Sequence, residues 1–500
     1  MPLSPAGNGR TDVVVVGAGP NGLAAAVTLA RAGLEVTVLE GQPTPGGGVR
    51  TLPLVTPQVS EAEGLLRDVC AAVPAAAPSS PFFAAFDLPA RSLDLIVPEV
   101  SYAQPLDGGL AGIAYRDLET TIEGLGPDGA RWRTLMGGLV RHYRDVAAIA
   151  LSDKRSVPAP ATTPAGLAAA GAAFGRAVAL LSTRAADGWW PDGTGHALVN
   201  GVAAHTITRL PSLAAAGTAA YLGALAHSPT GWPLVRGGIG EITRALVTDL
   251  EAHGGRVLTD HPVWSGADIP PARAVLLDTH ARVAAPLLAE PYRSRVAALP
   301  LGASVCKLDY VLSGPVPWSH PEVGRAGTVH VAGTVEQARA AEAEVAAGRH
   351  AEQPVLLVSD PAAHDPGREG PSGLRPLWVY AHVPHGSTRD VRAPAEAQLE
   401  RFAPGFRDVV VDCLVTPAAE LSEHNAGYPG GDISGGLITM WHMVVRPTLR
   451  VDPYAVAPGV WLCSASTPPG PGVHGMSGFH AARRVLRAFG ITGVPSLGPA

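Results

Sequence analysis

The first strongly apolar run of the chain is Val13–Val16, four consecutive β-branched residues, and an unbroken run of that kind predicts a strand buried on both faces. A glycine-punctuated turn follows, then a helical stretch, then a second run closing as Glu35-Val36-Thr37-Val38-Leu39-Glu40, so the chain opens on a βαβ unit. From Ala71 to about Thr230 the pattern changes. Ala, Pro and Gly dominate, helical stretches show at Thr134 to Leu151, Pro164 to Thr183 and Pro211 to Leu225, and the βαβ rhythm is absent, which predicts an inserted, largely helical domain. An amphipathic helix then runs through Leu250, with strands at Arg256 to Thr259 and Ala274 to Thr279 that read as a return to the first domain. Between Gly302 and Leu312, and from Leu377 to Val383, apolar and polar residues partly alternate, as antiparallel strands with one wet face do. Thr334 to Gly348 reads as a charged, Ala-rich surface helix, Gly459–Cys463 as another buried strand, and Val473 to Ala488 as a closing helix. No internal repeat is visible.

The turn after the first strand is Gly17-Ala18-Gly19-Pro20-Asn21-Gly22. Its three glycines have steric tasks: a tight turn, close approach of backbone to a pyrophosphate, and close packing of helix on strand. A diphosphate is expected on the amides that begin the helix near Asn21, where unpaired N–H groups and the helix dipole favour negative charge. Glu40 closes the second strand about 20 residues on, where a carboxylate accepts hydrogen bonds from a ribose diol and repels a 2′-phosphate. That excludes NADP and leaves FAD and NAD. Gly46-Gly47-Gly48-Val49-Arg50-Thr51 follows closely and is expected to make a second dinucleotide contact. Gly238-Ile239-Gly240 lacks a third glycine and a preceding buried strand, and is not counted as another nucleotide site.

Composition removes several function classes. The 500 residues are 46% hydrophobic and 16% charged with net charge −6, so the basic field that nucleic acid or an anionic membrane requires is missing. Cys70, Cys306, Cys413 and Cys463 form no CxxC pair, and no zinc or disulphide-exchange centre is suggested. The first ten residues carry no apolar run and no stretch reads as a bilayer span, so the expected location is cytoplasmic. Only Lys154 and Lys307 are lysine, which makes each stand out.

The tail decides between the two dinucleotides. After the last buried strand come Ser464-Ala465-Ser466, a Pro/Gly turn through Gly472, then Val473-His474-Gly475-Met476. A strand ending in small residues, a glycine-lined turn and a helix N-terminus suit an isoalloxazine, whose N1 and C2=O collect charge on reduction. A nicotinamide has no need of them.

With these motifs, the chain resembles the FAD-dependent amine oxidase and phytoene desaturase superfamily, and within it the phytoene-desaturase-like proteins. The resemblance also rests on Ser80-Pro81-Phe82-Phe83, Pro105-Leu106-Asp107-Gly108-Gly109, Lys307-Leu308-Asp309-Tyr310, His382-Val383-Pro384-His385-Gly386 and Gly430-Gly431-Asp432-Ile433, and so covers essentially the whole chain. It implies FAD and an organic substrate, expected to be apolar, that loses hydride to flavin N5. In flavin amine oxidases a lysine shortly after a Pro-Leu-Gly segment holds a water at N5; here Pro300-Leu301-Gly302 precedes Lys307, one residue further away. Lys307 is therefore a candidate catalytic residue, the competing reading being a lysine on the wet face of its strand. His474 and His442 are candidate proton acceptors, against ordinary core or surface histidines. The chain departs from the superfamily pattern at Ala465, where relatives place an acid, at Gly48, where an Arg is frequent and Arg50 stands two residues on, and at Pro74, where a His is associated with the segment.

These readings combine into an α/β protein: a Rossmann-like FAD-binding domain of glutathione-reductase type, discontinuous in sequence (1–70, 230–290 and 440–500), and a mixed α+β substrate domain (71–229 and 291–439). The cofactor is FAD, held by Gly17, Gly19, Pro20, Asn21, Gly22, Glu40, Gly46, Gly47, Gly48, Arg50, Thr51, Val263, Ser464, Ala465, Gly472, Val473, Gly475 and Met476, with no metal and no nucleic-acid partner. The expected activity is oxidation of a C–C or C–N bond by hydride transfer, desaturase-like in the first place. A flavin amine oxidase and a redox-inert FAD-binding interaction protein are the alternatives.

Overall fold

Val13–Val16 falls inside strand Thr11–Val16, in the middle of a six-stranded sheet. Strands Val36–Leu39 and Arg256–Leu258 lie parallel on one side of it, Ala272–Leu277 and Val460–Leu462 parallel on the other, and Ala455–Ala457 closes the edge antiparallel. Three distant parts of the chain thus share one sheet. The computed structural model describes residues 11–155 and 163–499; residues 1–10, whose lack of an apolar run argued against a secretory signal, lie outside the described residues.

Helix Pro20–Arg31 starts with a proline, whose missing N–H costs nothing there, and is buried from Asn21 to Ala30. It packs between the sheet and helix Met476–Ala488, where Gly478 leaves no room for a Cβ against the Asn21 carbonyl. Small residues therefore bring the front and the tail of the chain together.

A second sheet has seven strands in the order Val410–Thr416, Ser304–Leu312, Arg375–Val383, Leu356–Ser359, Ala326–Val331, Val100–Pro105, Ala111–Tyr115. Only Ala326–Val331 and Val100–Pro105 run parallel. Alternation splits its two faces: Cys306, Leu308, Tyr310, Val379 and Ala381 pack into one apolar cluster, while Lys307, Asp309, Trp378, Tyr380 and His382 point the other way.

The structure corrects the expectation of a wet face. All nine residues of both Ser304–Leu312 and Arg375–Val383 are buried. The polar face is covered by other segments, including helix Val335–Ala346, which the sequence presents as a surface helix. That helix starts with a Thr334/Gln337 capping box, yet Arg339 and Glu342 are buried. The inserted stretch is helical at Gly129–Arg141, Tyr143–Ala150, Pro164–Leu181, Thr194–Ala204 and Leu213–Ala226, the expected long helix before Leu151 being broken at His142. It also supplies strands Val100–Pro105 and Ala111–Tyr115: the first pairs with Ala326–Val331, more than two hundred residues away in sequence, and the second pairs with the first at the sheet edge. Pro164–Leu181 has a mean hydropathy of 1.4 over 18 residues, so one helix among the described residues is long and apolar enough to cross a membrane. Its alanines and leucines carry that mean, and it packs against Leu213–Ala226.

Candidate functional site

A cavity with a volume of ≈ 750 Å³ opens at the carboxyl ends of the parallel strands, as ligand crevices in open α/β sheets do. It extends from the first glycine turn, past the tail segment, to aromatic residues of the seven-stranded sheet.

At the nucleotide end, Gly17, Gly19, Pro20, Asn21 and Glu40 line the cavity. Gly17 has φ +97°, a conformation L side chains avoid. Glu40 is anchored by two backbone donors, Ala18 N to Oε2 at 2.8 Å and Gln42 N to Oε1 at 3.0 Å, which leaves lone pairs for hydroxyl donors. Asn21 Oδ1 is buried without a partner. Gly47 and Gly48 line the cavity, and a Cβ on Gly48 would collide with the Tyr428 hydroxyl. Gly46 and Arg50 stand behind this loop. Arg50 Nε donates to Gly47 O at 2.8 Å and Nη2 to the His424 carbonyl, so the guanidinium braces the loop; burial pulls its pKa down. Thr51 is also outside the lining: its hydroxyl donates to Asp68 Oδ1 at 2.6 Å and accepts from Gly240 N at 2.9 Å. Val263 and the neighbouring Trp264 lie on the cavity wall.

One residue at this end is absent from the expected set. Asp278, directly after strand Ala272–Leu277, lines the cavity and accepts from Gly22 N at 2.7 Å. Gly22 itself does not reach the lining; a Cβ added there would strike the Gly17 carbonyl and the Asp278 side chain. The available signal was an acid at the carboxyl end of a parallel strand next to the glycine turn.

From the tail, Ser464, Ala465, Gly472 and Val473 line the middle of the cavity. Gly475 and Met476 stand back from it: Gly475 (φ +67°) caps helix Met476–Ala488 and packs on Phe82, and the Met476 amide donates to His474 Nδ1 at 3.0 Å. His474 is itself outside the lining, with Nε2 3.1 Å from Gly470 O and burial holding its pKa at about 4. Both ring nitrogens are used to shape the turn. His442 lies in the short helix Met440–Val445, its amide donating to the hydroxyl of the N-cap Thr439 at 3.1 Å, rather than in a strand.

The far end is formed by Leu222, Trp232, Thr328, Leu357, Trp378 and Tyr380, with His205 as its titratable group. The Trp378 and Tyr380 rings meet edge to face at 4.9 Å. His205 Nε2 is 2.7 Å from His330 Nε2, and His382 is bonded to Glu342 deeper in the same layer. Burial holds His205 at about 3 and His330 well below its ordinary value, so this pair is neutral at physiological pH. Lys307 does not line the cavity. It is 2% exposed, ion-paired to Asp309, and its Nζ lies 5.0 Å from the centre of the Trp378 ring, behind the wall. Desolvation lowers its pKa and Asp309 opposes that shift. The wet-face reading of Lys307 is thereby excluded. No cluster of histidine, cysteine and carboxylate side chains suited to a metal occurs among the described residues.

These residues fit FAD. Glycines line the cavity where a diphosphate and a flat ring have to approach backbone, Asn21 Oδ1 and Trp378 Nε1 are buried donor or acceptor atoms without partners, and the volume lies within the range of cofactor sites.

Residues 15–65 match the family model of an NAD(P)-binding Rossmann-like domain. Along its length the chain is similar to an uncharacterized protein of Mycobacterium tuberculosis, 27% identical over 95% of this chain and 97% of that one. Hydroxyneurosporene desaturase of Cereibacter sphaeroides is 67% identical over 43 residues, but that match spans only 9% of each chain. Pyridine nucleotide-disulfide oxidoreductase domain-containing protein 2 of Rattus norvegicus is 23% identical over 53% of both. Among solved structures, putrescine oxidase bound to putrescine superposes with a TM-score of 0.57 at 16% identity, covering 96% of this chain and 99% of the oxidase, which establishes a shared fold.

Proposed function

We propose, from the premise that this chain is a phytoene desaturase-like FAD oxidoreductase, that it dehydrogenates an apolar organic substrate held at the aromatic end of its cavity. The observation that carries this reading is the continuity of the cavity: one space is lined by the dinucleotide turn, by Gly472 and Val473, and by Trp378 and Tyr380. When bound, FAD supplies a two-electron hydride acceptor. The chain's own contributions are binding, orientation and exclusion of water. Amides of the glycine turn and of the helix start face the diphosphate, and Glu40 receives the ribose hydroxyls. Ser464 and Ala465 with the Gly472 turn leave space for a flat ring. Trp232, Leu222, Leu357 and Trp378 hold an apolar stretch of substrate and keep water away from it. His205, neutral and tied by Nε2 to His330, adds a polar ring to the mostly apolar far end, where it orients the substrate. Lys307 acts from behind Trp378, where its ammonium biases the electrostatics of the wall without touching substrate.

The lining favours a desaturase over an amine oxidase. The cavity's carboxylates, Glu40, Asp278 and Glu423, all belong to the nucleotide end, and the far end offers none to a substrate ammonium. The test is anaerobic: protein carrying FAD is mixed in turn with partly saturated polyenes and with putrescine, and bleaching of the flavin band is followed. The proposal expects bleaching by an apolar compound and not by the diamine. Bleaching by the diamine alone would favour the amine reading. A flavin that none of them reduces, in a protein that captures a protein partner, would favour the redox-inert one.

A further inference from the structure

Asp278 stands where the cofactor's own negative charge is expected. The Gly22 amide, at the third glycine of the turn, already donates to Asp278 Oδ2 at 2.7 Å, and a Cβ on Gly19 would stand 2.6 Å from the same oxygen. The carboxyl therefore covers the start of helix Pro20–Arg31 from the cavity side. Among the described residues it has no ion pair, and no arginine or lysine lines the cavity. The titratable groups around it are few and mostly acidic. Glu40 faces it from the end of strand Val36–Leu39, Cys463 from the end of Val460–Leu462, and Tyr428 from the segment covering Gly48. Arg50 faces Glu40 and Tyr428 from behind the loop, and His280, two residues on, is turned to Asp432 at 3.7 Å. A diphosphate entering this space adds like charge to like charge in a buried setting, where the repulsion is far less screened than in water.

We propose that Asp278 couples FAD binding to the uptake of one proton: the cofactor's diphosphate is accepted when the Asp278 carboxyl is neutral, and the acid proton then donates a hydrogen bond towards a phosphate oxygen. This rests on the FAD reading of the site and adds a residue that sets affinity for the cofactor. Burial first, and Glu40 in addition, raise the Asp278 pKa to about 7, so the neutral form is available at physiological pH. The sign follows. Below about pH 6.5 the proton is already in place and affinity is independent of pH; above about pH 7.5 a proton must be taken up with each FAD, and affinity falls about tenfold per pH unit.

The test is release of FAD from the holoprotein, read as the fluorescence of free flavin after dilution, between about pH 5.5 and 8.5. Wild type is expected to hold FAD with a flat dissociation constant on the acid side and a rise of about tenfold per unit on the alkaline side. Asp278→Asn keeps an oxygen for the Gly22 amide and cannot ionise, so it is expected to be flat throughout and to bind more tightly than wild type at the alkaline end. Should that variant fail to fold, the wild-type profile stands alone, supported by a pH-indicator measurement of proton uptake on adding FAD in weak buffer. FAD that binds with a flat wild-type profile, or an Asn variant that keeps the slope, overturns the coupling alone. A protein that binds no FAD at any pH overturns the FAD reading and the coupling with it.

Discussion

The two ends of the cavity are built by opposite means. At the nucleotide end the shape comes from backbone: Gly17 at φ +97°, Gly47 placed so that a Cβ on it would stand 3.2 Å from Gly19 Cα, and a helix start. At the far end it comes from side chains, Trp378 and Tyr380 from one strand, Thr328 from another, His205 from the inserted stretch and Trp232 from just beyond it. A backbone site needs particular residues at short, fixed spacing, whereas a side-chain site needs only that distant strands deliver compatible surfaces to one place. The far end is accordingly supported by a buried polar layer, and disturbing that layer is expected to cost stability while leaving the nucleotide end intact.

The largest effect is expected from Lys307→Met. It leaves Asp309 buried with Arg67 as the remaining cation, 3.1 Å away, and breaking a buried pair in this way costs about 3–5 kcal/mol. Chemical denaturation should show that loss with flavin content per folded protein unchanged, and the double variant with Asp309→Leu should recover part of it. Flavin reoxidation should also be slower; a normal rate would restrict Lys307 to packing. Gly22→Ala is the converse experiment. Its methyl meets the Gly17 carbonyl and stands 2.8 Å from Asp278 Oδ2, so a loss of about 2–3 kcal/mol is expected together with loss of flavin. If FAD content survived, the turn would not be the diphosphate site.

This contrast explains what could be read from the chain. Gly17, Gly19, Glu40, Gly47, Gly48, Gly472 and Val473 were identifiable because each follows from steric needs at short range, and all line the cavity. Gly46, Arg50, Thr51, Gly475 and Met476 belong to the same motifs, yet they shape or brace the loops instead of reaching the cavity. His474 illustrates the limit: its position in the motif is as expected, but spacing does not reveal that both ring nitrogens are engaged by local backbone. Trp378, Tyr380 and His205 carry no local signal at all. The alternation of the strand that carries Trp378 and Tyr380 is visible, and its polar face reads as wet because strand periodicity says which residues share a face, not what covers it. Likewise Val100–Pro105 has no strand signature of its own and depends on Ala326–Val331.

A smaller effect is expected on acidification. His205, held at about 3, and His330 stay neutral when folded, while an unfolded chain binds protons below about pH 6.5. Because these folded pKa values are depressed, the stability they contribute is present above the unfolded value and lost as pH falls, at about 1.4 kcal/mol per pH unit for each histidine. Urea midpoints measured through this range should fall less steeply in His205→Gln, and an unchanged slope would separate the pair from the acid response. The smallest effect belongs to Trp264→Ala. Trp264 lines the cavity near Val263 but is 75% exposed, so stability should stay within about 0.5 kcal/mol while FAD is held a few-fold less tightly.

The account depends most on both ends serving one ligand path, and the structure of the protein with FAD bound tests that directly. The expected result is the diphosphate over the Gly17–Asn21 turn, the isoalloxazine beside Gly472 and Val473, and open space between that ring and Trp378. A flavin ring placed away from Val473, or one that fills the aromatic end and leaves no room for a substrate, would contradict it.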